Sequence, residues 1–318
     1  MSAPRFGLIG ARRVSQGLGP FIARDIAAAG GVVAAVLGRS PETAREAVQA
    51  ACRLSPASEP PAATADLDEF FSHGLDAVCV LTPAGTHGAF VEAALSRGCH
   101  VLAEKPFLWF PELDWVATAE SLENRFAERG LVLAVNAQWP WTLGPLELAL
   151  GRSVAGAKRL SMGQQPASKG LQMIGDSAPH PLSLAQTILP DIEEFSSLEV
   201  NAKSEAEISV VGTLRGEHSE LEIEMHLDGR PQAPDAGPRR AWIEVDGVRV
   251  ERCIRPRDYS LFFRRGTALF DVPDPLTLRV ADFVRQVARS SKKPSTVPAR
   301  TISRRAALLK SIADAWAK

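Results

Sequence analysis

Five short apolar segments alternate with helix-forming segments along the first 135 residues of the chain. The apolar segments contain no Asp, Glu, Lys or Arg, and they cover residues 6–9, 32–37, 77–81, 100–103 and 131–135. Helical patterns cover 21–29, 41–51, 87–96 and 111–129, with Ser40 as an N-cap before Pro41. Strands that are apolar on both faces are typical of a parallel sheet covered by helices on both sides, which predicts an α/β domain.

The pattern changes after about residue 150 to strands that alternate apolar and polar residues. These segments are 197–202, 207–213, 221–226, 241–245 and 248–254, with Asp246 and Gly247 as a two-residue hairpin signal between the last two. Helices are predicted near 180–188 and at 276–288 and 301–317, whereas 231–238 and 290–298 are loop-like. The second half is therefore expected to contain antiparallel strands.

The charge balance and the cysteines limit the classes of function. Lys and Arg number 36 against 37 for Asp and Glu, and a net charge of −1 disfavours general binding to nucleic acids or anionic membranes. No apolar stretch approaches the ~18 residues of a membrane span, and the N-terminus lacks the apolar region of a signal peptide. The four cysteines form no CxxC pair. We expect a cytoplasmic protein without a structural metal.

The turn after the first apolar segment is a candidate for binding the pyrophosphate of a dinucleotide. Such a turn needs glycine where the backbone approaches the phosphates, followed by a helix whose N-terminus points at the negative charge. Gly10 fits the first glycine of a GxGxxG pattern, but Arg12 and Ser15 occupy the second and third glycine positions. Gly10, Arg12 and Arg13 are the candidate cofactor residues here, and a simple turn without a ligand is the alternative.

The end of the second apolar segment bears on which dinucleotide would bind. An NAD site usually has Asp or Glu there for the ribose 2′-hydroxyl, whereas an NADP site has Arg or small polar residues for the 2′-phosphate. This chain has Arg39 and Ser40, with no carboxylate before Glu42. We therefore expect NADP(H) to be favoured over NAD(H), the alternative being a solvated arginine beside a helix cap.

Residues 76–107 contain the most specific motifs of the chain. Ligands of open parallel sheets bind outside the carboxyl ends of the strands, and polar residues follow two of the apolar segments here. The candidate cofactor residues in this stretch are Thr82, Pro83, His87, Glu104 and Lys105. Lys105 is the only lysine before position 158, and its bond to Pro106 is of the type that can adopt the cis form. The alternative for Lys105 is a surface lysine without a ligand, and the alternative for His87 is a histidine that caps a loop.

The motifs TPAGTH and AEKP, with ALSRGCHVL between them, resemble those of the glucose–fructose oxidoreductase and inositol dehydrogenase family (Gfo/Idh/MocA). The resemblance continues at 131–138, 176–180 and 274–284. It implies an N-terminal Rossmann domain with a doubly wound parallel sheet over residues 1–136, and an α+β domain with a large, open, mostly antiparallel sheet over 137–318. It also implies an NAD(P)-dependent oxidoreductase that acts on a secondary alcohol or carbonyl of a sugar- or cyclitol-like molecule, in a homo-oligomer (dimer or tetramer).

Three residues fill the catalytic positions that the resemblance implies. Lys105 would bind the reacting oxygen over the nicotinamide, where an ammonium stabilises alkoxide character while hydride leaves the adjacent carbon. Asp176 and His180 fit the D-x-x-x-H motif of the family, in which the histidine exchanges the proton and the carboxylate supports it. Residues before proline avoid the helical conformation, so a helix beginning at Pro181 would leave both on its approach loop. A capping aspartate and an incidental histidine are the alternative.

The substrate-binding candidates are Lys105, Asn136, Gln138, Trp139, Asp176 and His180. Family members commonly carry an arginine–aromatic pair after the asparagine, whereas this chain has Gln138 and Trp139. The tryptophans at positions 109, 115, 139 and 141 suit a sugar face or an aromatic substrate, and packing between domains is the alternative. Rival functions are the reduction of a C=N bond, a dinucleotide-binding sensor without turnover, and a hydrolase or lyase that uses the cofactor catalytically.

Overall fold

A computed structural model describes residues 2–12, 17–56, 59–109, 114–230, 240–255, 257, 260–290 and 300–317. The predictions for Arg13, for the loop 231–238 and for most of the loop 290–298 lie outside the described residues. The contacts between Cα atoms divide the chain into two compact units. The first consists of Met1–Phe110, Ala117–Asn136 and Leu276–Ile302, and the second of Pro111–Val116, Ala137–Pro275 and Ser303–Lys318.

The described part of the first unit contains one sheet of six parallel strands. They are β1 (Arg5–Ile9), β2 (Val32–Leu37), β3 (Ala62–Thr64), β4 (Ala77–Val80), β5 (His100–Ala103) and β6 (Leu133–Val135). The intervening helices are α1 (Gly19–Ala28), α2 (Pro41–Leu54), α3 (Leu67–Ser72), α4 (His87–Ser96) and α5 (Trp115–Glu128). The strand order is β3-β2-β1-β4-β5-β6, so the sheet is doubly wound with a topological switch point between β1 and β4.

The central strands are buried on both faces, which explains why the sequence shows unbroken apolar segments there. Every residue of β4 and β5 is buried. The sequence patterns do not predict β3 and α3, because a strand of three residues and a helix of six are too short to show a period. Because neither face of this sheet is exposed to solvent at its central strands, helices must cover both faces, as in other parallel sheets.

In the second unit, the described residues form a sheet of eight strands. They are β7 (Arg159–Gln164), β8 (Ile192–Ser204), β9 (Glu207–Gly216), β10 (Glu220–Asp228), β11 (Ala241–Val245), β12 (Val248–Ile254), β13 (Leu261–Arg265) and β14 (Ala268–Val272). The helices α6 (Leu143–Leu150), α7 (Gly170–Ser177) and α8 (Pro179–Ile188) precede or interrupt them. The order is β14-β13-β12-β11-β7-β10-β9-β8, with β7 and β10 parallel and the other neighbours antiparallel. The predicted fold class is confirmed.

The two faces of the second sheet differ in chemistry. On β10, Leu221, Ile223 and Met225 are buried, while Glu224 faces the other side and pairs with Arg159 at 2.7 Å. Buried and exposed residues thus alternate along the strand with a period of two, and this period in the sequence predicts most of these strands. The sequence patterns do not predict β7, β13, β14, α6 and α7.

The last two helices are α9 (Pro275–Arg289) and α10 (Thr301–Trp316). The division of the sequence at residue 136 assigns segment 276–302 to the second domain, whereas the contacts group it with the first unit. The reason is the apolar face of α9, where Val280 and Phe283 are fully buried in the core that contains Phe6. Within the described residues, no helix has the length and apolar composition that crossing a membrane requires.

A buried carboxylate also joins α9 to α1. Asp25 on α1 is only 2% exposed, and its two oxygens accept hydrogen bonds from Arg24 Nε at 2.7 Å and from Thr277 Oγ1 at 3.1 Å. A carboxylate at this depth needs such partners, because its desolvation is otherwise uncompensated. The three groups therefore help to hold the late helix α9 on the first unit.

We expect Asp25→Ala to lower the free energy of unfolding by about 1–3 kcal/mol, because it removes the buried acceptor of the Thr277 hydroxyl and of Arg24 Nε. Urea denaturation measures this change. The matched control is Asp68→Ala, since Asp68 is 85% exposed and pairs with Arg97 at the surface. The control should cost about 1 kcal/mol or less. Equal losses in the two variants would contradict the anchoring role of Asp25.

Candidate functional site

Four neighbouring strands of the first sheet end side by side. Ile9 pairs with Val80, Val80 with Ala103, and Ala103 with Val135. The residues that follow these strand ends therefore lie along one edge of the sheet, at and beside the switch point. They include Gly10, Thr82, Glu104, Lys105 and Asn136, which are all residues that the sequence singles out.

The turn after β1 has no room for a side chain. Gly10 has φ +75°, and a Cβ atom there would lie 2.5 Å from Thr82 Cγ2, so the β1 and β4 loops approach each other through this glycine. A Cβ atom on Gly19, the first residue of α1, would lie 2.1 Å from the carbonyl oxygen of Ala11. Gly19 thus brings the helix close to the turn, a role that the GxGxxG spacing does not reveal. The signal in the sequence is the pair Gly17 and Gly19 before Pro20.

The basic residues near this turn differ in their surroundings. Arg12 is half-exposed, and its Nε lies 2.7 Å from Glu46 Oε2 on α2. Arg39, after β2, is exposed. Ser40 is the N-cap of α2: its Oγ accepts from Thr43 N at 3.4 Å, and its own N–H donates to Thr43 Oγ1 at 3.0 Å. Arg39 therefore stands at the capped N-terminus of α2, while Arg12 is tied to the surface of that helix.

His87 joins the two loops that carry the sequence motifs. It is 1% exposed at the start of α4, with Nε2 at 2.7 Å from the carbonyl oxygen of Thr82 and Nδ1 at 2.9 Å from that of Phe107. Both ring nitrogens thus face main-chain carbonyls of the loops after β4 and β5. These contacts make His87 a clamp between the two loops, and a contact of His87 with a cofactor stays a prediction.

The protonation of this clamp is a balance of two effects. Burial lowers the pKa of His87, although hydrogen bonds to the carbonyls of Thr82, Phe107 and Pro106 favour the charged ring. A neutral imidazole has one N–H and can donate to only one carbonyl at a time. The second contact becomes a hydrogen bond only when the ring gains a proton.

The loop after β5 begins with a buried carboxyl group beside a lysine. Glu104 Oε1 accepts from Asn136 Nδ2 at 2.6 Å, and Oε2 accepts from the N–H of Lys105 at 3.3 Å. Burial raises the pKa of Glu104, against the hydrogen bond from Asn136 and the charge of Lys105. The Lys105–Pro106 peptide is cis, and Lys105 itself is partly exposed. The Glu104 carboxyl group therefore positions Asn136 and the Lys105 backbone through hydrogen bonds.

Three features of this edge fit a dinucleotide. Gly10 allows a close approach to the backbone, and no side chain among the described residues caps the N-terminus of α1. Asn136 is 2% exposed, and its Oδ1 forms no hydrogen bond with the part of the chain that the structure describes. Buried acceptors of this kind are normally satisfied, so a ligand donor is a natural partner. The residues that would hold the cofactor are those along the edge.

Asp176 and His180 lie in helices, not on an approach loop, and this corrects the sequence prediction. Asp176 is in α7 and His180 in α8, and Ala178 between them has helical φ and ψ of −60° and −30°. Pro181 lacks the N–H that would bond the carbonyl of Ser177, but Gln164 Nε2 donates to that carbonyl at 3.2 Å. The near-continuous helical path places both side chains on one face, where both are partly exposed.

Trp139 is the neighbour of His180 in the second unit. Their rings meet edge to face, with centroids 6.1 Å apart, and the guanidinium of Arg252 lies 5.5 Å from the centroid of the same Trp139 ring. Gln138, one residue earlier, is partly exposed. Asp176 accepts a hydrogen bond from Gln172 at 2.9 Å. Sequence reasoning missed Arg252, although its place in the apolar phase of a strand is a readable signal.

The tryptophans serve mainly for packing. Trp109, Trp115 and Trp139 are 8%, 1% and 7% exposed, whereas Trp141 is partly exposed. Their burial favours the packing alternative over an open aromatic platform for three of the four. Among the described residues, no group of three or more His, Cys, Asp or Glu side chains could hold a metal ion.

A doubly wound parallel sheet with a glycine turn at its switch point defines a dinucleotide-binding fold. Residues 4–137 match the model of the Gfo/Idh/MocA family, described as "Oxidoreductase family, NAD-binding Rossmann fold". These residues are less than half of the chain, and over them the resemblance stated from the motifs is confirmed.

One curated relative and two solved structures illustrate the similarity. The chain is 35% identical over 132 residues to a UDP-N-acetylglucosamine 3-dehydrogenase of Acidithiobacillus ferrooxidans, a match that covers 41% of this chain and only 36% of that relative. The solved structure of that name from the same organism has a TM-score of 0.70 at 22% identity, covering 99% of this chain and 98% of the other. An inositol dehydrogenase homologue from Azotobacter vinelandii, with NADH and myo-inositol, has a TM-score of 0.64 at 18% identity, covering 98% and 96%. The two structures show the fold alone.

We expect His87→Ala to lower the free energy of unfolding by about 2–4 kcal/mol near pH 7.5, because it opens a cavity and removes the N–H that the neutral ring donates to one of the two carbonyls. Since the folded pKa of His87 is lowered, the folded protein binds fewer protons than the unfolded chain below about pH 6.5. Acidification through that window therefore destabilises the wild type more than the variant, and the difference between them narrows toward about pH 5.

Urea denaturation at the two pH values measures this difference. The matched control is His218→Ala, because the side chain of His218 is 83% exposed. Its effect should stay below about 0.5 kcal/mol at both values. A difference between wild type and His87→Ala that widens on acidification would contradict the assignment.

Proposed function

We propose that the protein is an NAD(P)-dependent oxidoreductase that transfers hydride between a nicotinamide cofactor and the CH–OH carbon of a sugar- or cyclitol-like molecule. The observation that carries the proposal is the row of Gly10, Glu104, Lys105 and Asn136 at the aligned strand ends of a sheet that matches an NAD-binding family. Ligands of such sheets bind at this edge. The names of relatives describe those proteins and support only the class of substrate.

The proposed chemistry divides between three side chains. When bound, the nicotinamide supplies the hydride acceptor or donor. Lys105 donates a hydrogen bond to the reacting oxygen and stabilises the negative charge that develops on it. His180 takes the hydroxyl proton during oxidation and returns it during reduction, and Asp176 on the same helical face supports the charged imidazole.

NADP(H) is the proposed cofactor in preference to NAD(H). Arg39 is exposed after β2, and Ser40 caps the helix that begins there, so the end of β2 presents a guanidinium and no carboxylate. A guanidinium is well suited to a 2′-phosphate, to which it can donate two parallel hydrogen bonds. A cytoplasmic location and a homo-oligomer remain part of the proposal, on the strength of composition and family resemblance.

We expect Arg39→Ala to weaken NADPH binding by about 10–100-fold while leaving NADH binding nearly unchanged, because only NADPH carries the 2′-phosphate. Fluorescence titration with both cofactors measures the two dissociation constants. The matched control is Arg45→Ala, since Arg45 lies on α2, the helix that follows Arg39, and pairs with Glu42 at the surface. A wild type that binds NADH tenfold more tightly than NADPH would overturn the preference.

We expect Lys105→Ala to lower kcat/KM by at least about 100-fold, because the charge that stabilises the developing alkoxide is lost. The measurement follows the absorbance of the reduced nicotinamide with a panel of sugars, cyclitols, ketones and imines. Lys203→Ala is the control, because Lys203 is 81% exposed on β8. Unchanged turnover in Lys105→Ala would remove the catalytic assignment, whereas NADPH binding without turnover of any compound would favour a sensor.

A further inference from the structure

Arg252 lies on the apolar face of the second sheet. Along β12, Arg249 and Glu251 are exposed on one face, while Val250 is fully buried on the other. Arg252 is two residues after Val250 and therefore shares its face. In register it lies between Ala241 on β11 and Phe263 on β13, which are 7% and 1% exposed. An arginine in such surroundings normally has an anionic partner.

No such partner comes from the part of the chain that the structure describes. The guanidinium of Arg252 forms no hydrogen bond or ion pair with a described residue, and its contact is the face of Trp139 at 5.5 Å. Arg249 on the same strand, by contrast, donates from Nε to Glu244 Oε2 at 2.8 Å. Burial lowers the pKa of Arg252, although part of the residue's surface stays exposed and is open to a ligand.

The Trp139 ring also connects Arg252 to the proposed acid–base residue. His180 meets this ring edge to face, at 6.1 Å between centroids, so the guanidinium and the imidazole both contact one aromatic side chain within the second unit. Trp139 is 7% exposed and therefore held by packing. A fixed ring orients the guanidinium that lies over it, which reduces the entropy lost when the guanidinium binds an oxyanion.

We propose that Arg252 binds an anionic group of the substrate, a carboxylate or a phosphate, close to His180. The planar guanidinium donates two parallel hydrogen bonds to such an oxyanion, and the apolar surroundings strengthen them. The inference rests on the proposed function, because only that function makes the bound anion part of a substrate. The substrate is then an anionic sugar or cyclitol derivative, such as a sugar acid or a phosphorylated sugar.

The test compares neutral and anionic ligands of one ring type. Titration calorimetry on the full chain measures the binding of glucose, glucuronate and glucose 6-phosphate in the presence of NADPH. We expect at least one anion to bind about tenfold or more tightly than glucose, and the two anions distinguish a carboxylate site from a phosphate site. Arg252→Met, which keeps an unbranched side chain beside Trp139, should abolish this preference.

The control is Arg249→Met, because Arg249 also stacks on a tryptophan, Trp242 at 3.8 Å, but from the opposite face of the same strand. It should keep the preference for the anion. Arg252→Lys keeps the charge but loses the two parallel N–H donors of the guanidinium, so it should retain a reduced preference for the anion. This variant provides a second measurement if Arg252→Met does not fold. Equal binding of the anions and glucose by the wild type, or a preference that survives the loss of Arg252, would overturn the proposal.

Cofactor binding and turnover separate this result from the proposed function. Anion binding that depends on Arg252, without NADPH binding or hydride transfer, would contradict the oxidoreductase and support the anion site. Oxidation of neutral sugars with no preference for anions would support the oxidoreductase and overturn the anion site.

Discussion

The burial of a parallel sheet on both faces is the constraint on which the first unit depends. Strands such as β4 and β5 expose no residue, so helices must cover both faces. The chain completes this cover with α9, which contributes Phe283 to the core around Phe6 from far along the sequence. With both faces closed, the strand ends are where polar side chains can meet a ligand. The grouping of Thr82, Glu104 and Asn136 at one edge follows from this closure.

Burial also sets the electrostatics of that edge. It lowers the pKa of His87 and raises the pKa of Glu104, so it disfavours charge on both groups. His87 then acts as a neutral connection between the loops after β4 and β5, and the Glu104 carboxyl is held by Asn136 and by the Lys105 N–H. Burial disfavours the charged form of the Glu104 carboxyl group beside Lys105. The charge of Lys105 is therefore less neutralised by its neighbour, which suits electrostatic stabilisation of a reacting oxygen.

Sequence patterns predict the elements whose periods are long and regular, and they fail where distant residues decide. The bounds of β2, β5, β11, β12 and α4 agree with the patterns at every residue. The rule that residues before proline avoid helices fails at His180, which lies in α8. The missing N–H of Pro181 costs little there, because N–H groups of a first turn need no partner within the helix. The freed carbonyl of Ser177 is satisfied by Gln164 on β7, and a local pattern does not contain that contact.

Arg252 shows a different limit of the sequence. The period of two in β12 is readable, and it places residue 252 in the same phase as Val248 and Val250, so an arginine there is already unusual. The sequence does not show whether a carboxylate compensates its charge, because the partners of an arginine on a sheet come from other strands, as Glu244 does for Arg249. Only the folded structure shows that Arg252 meets an aromatic ring where Arg249 meets both a ring and a carboxylate. The partly buried guanidinium of Arg252 has no carboxylate beside it among the described residues, and an anion that binds there would supply the missing partner.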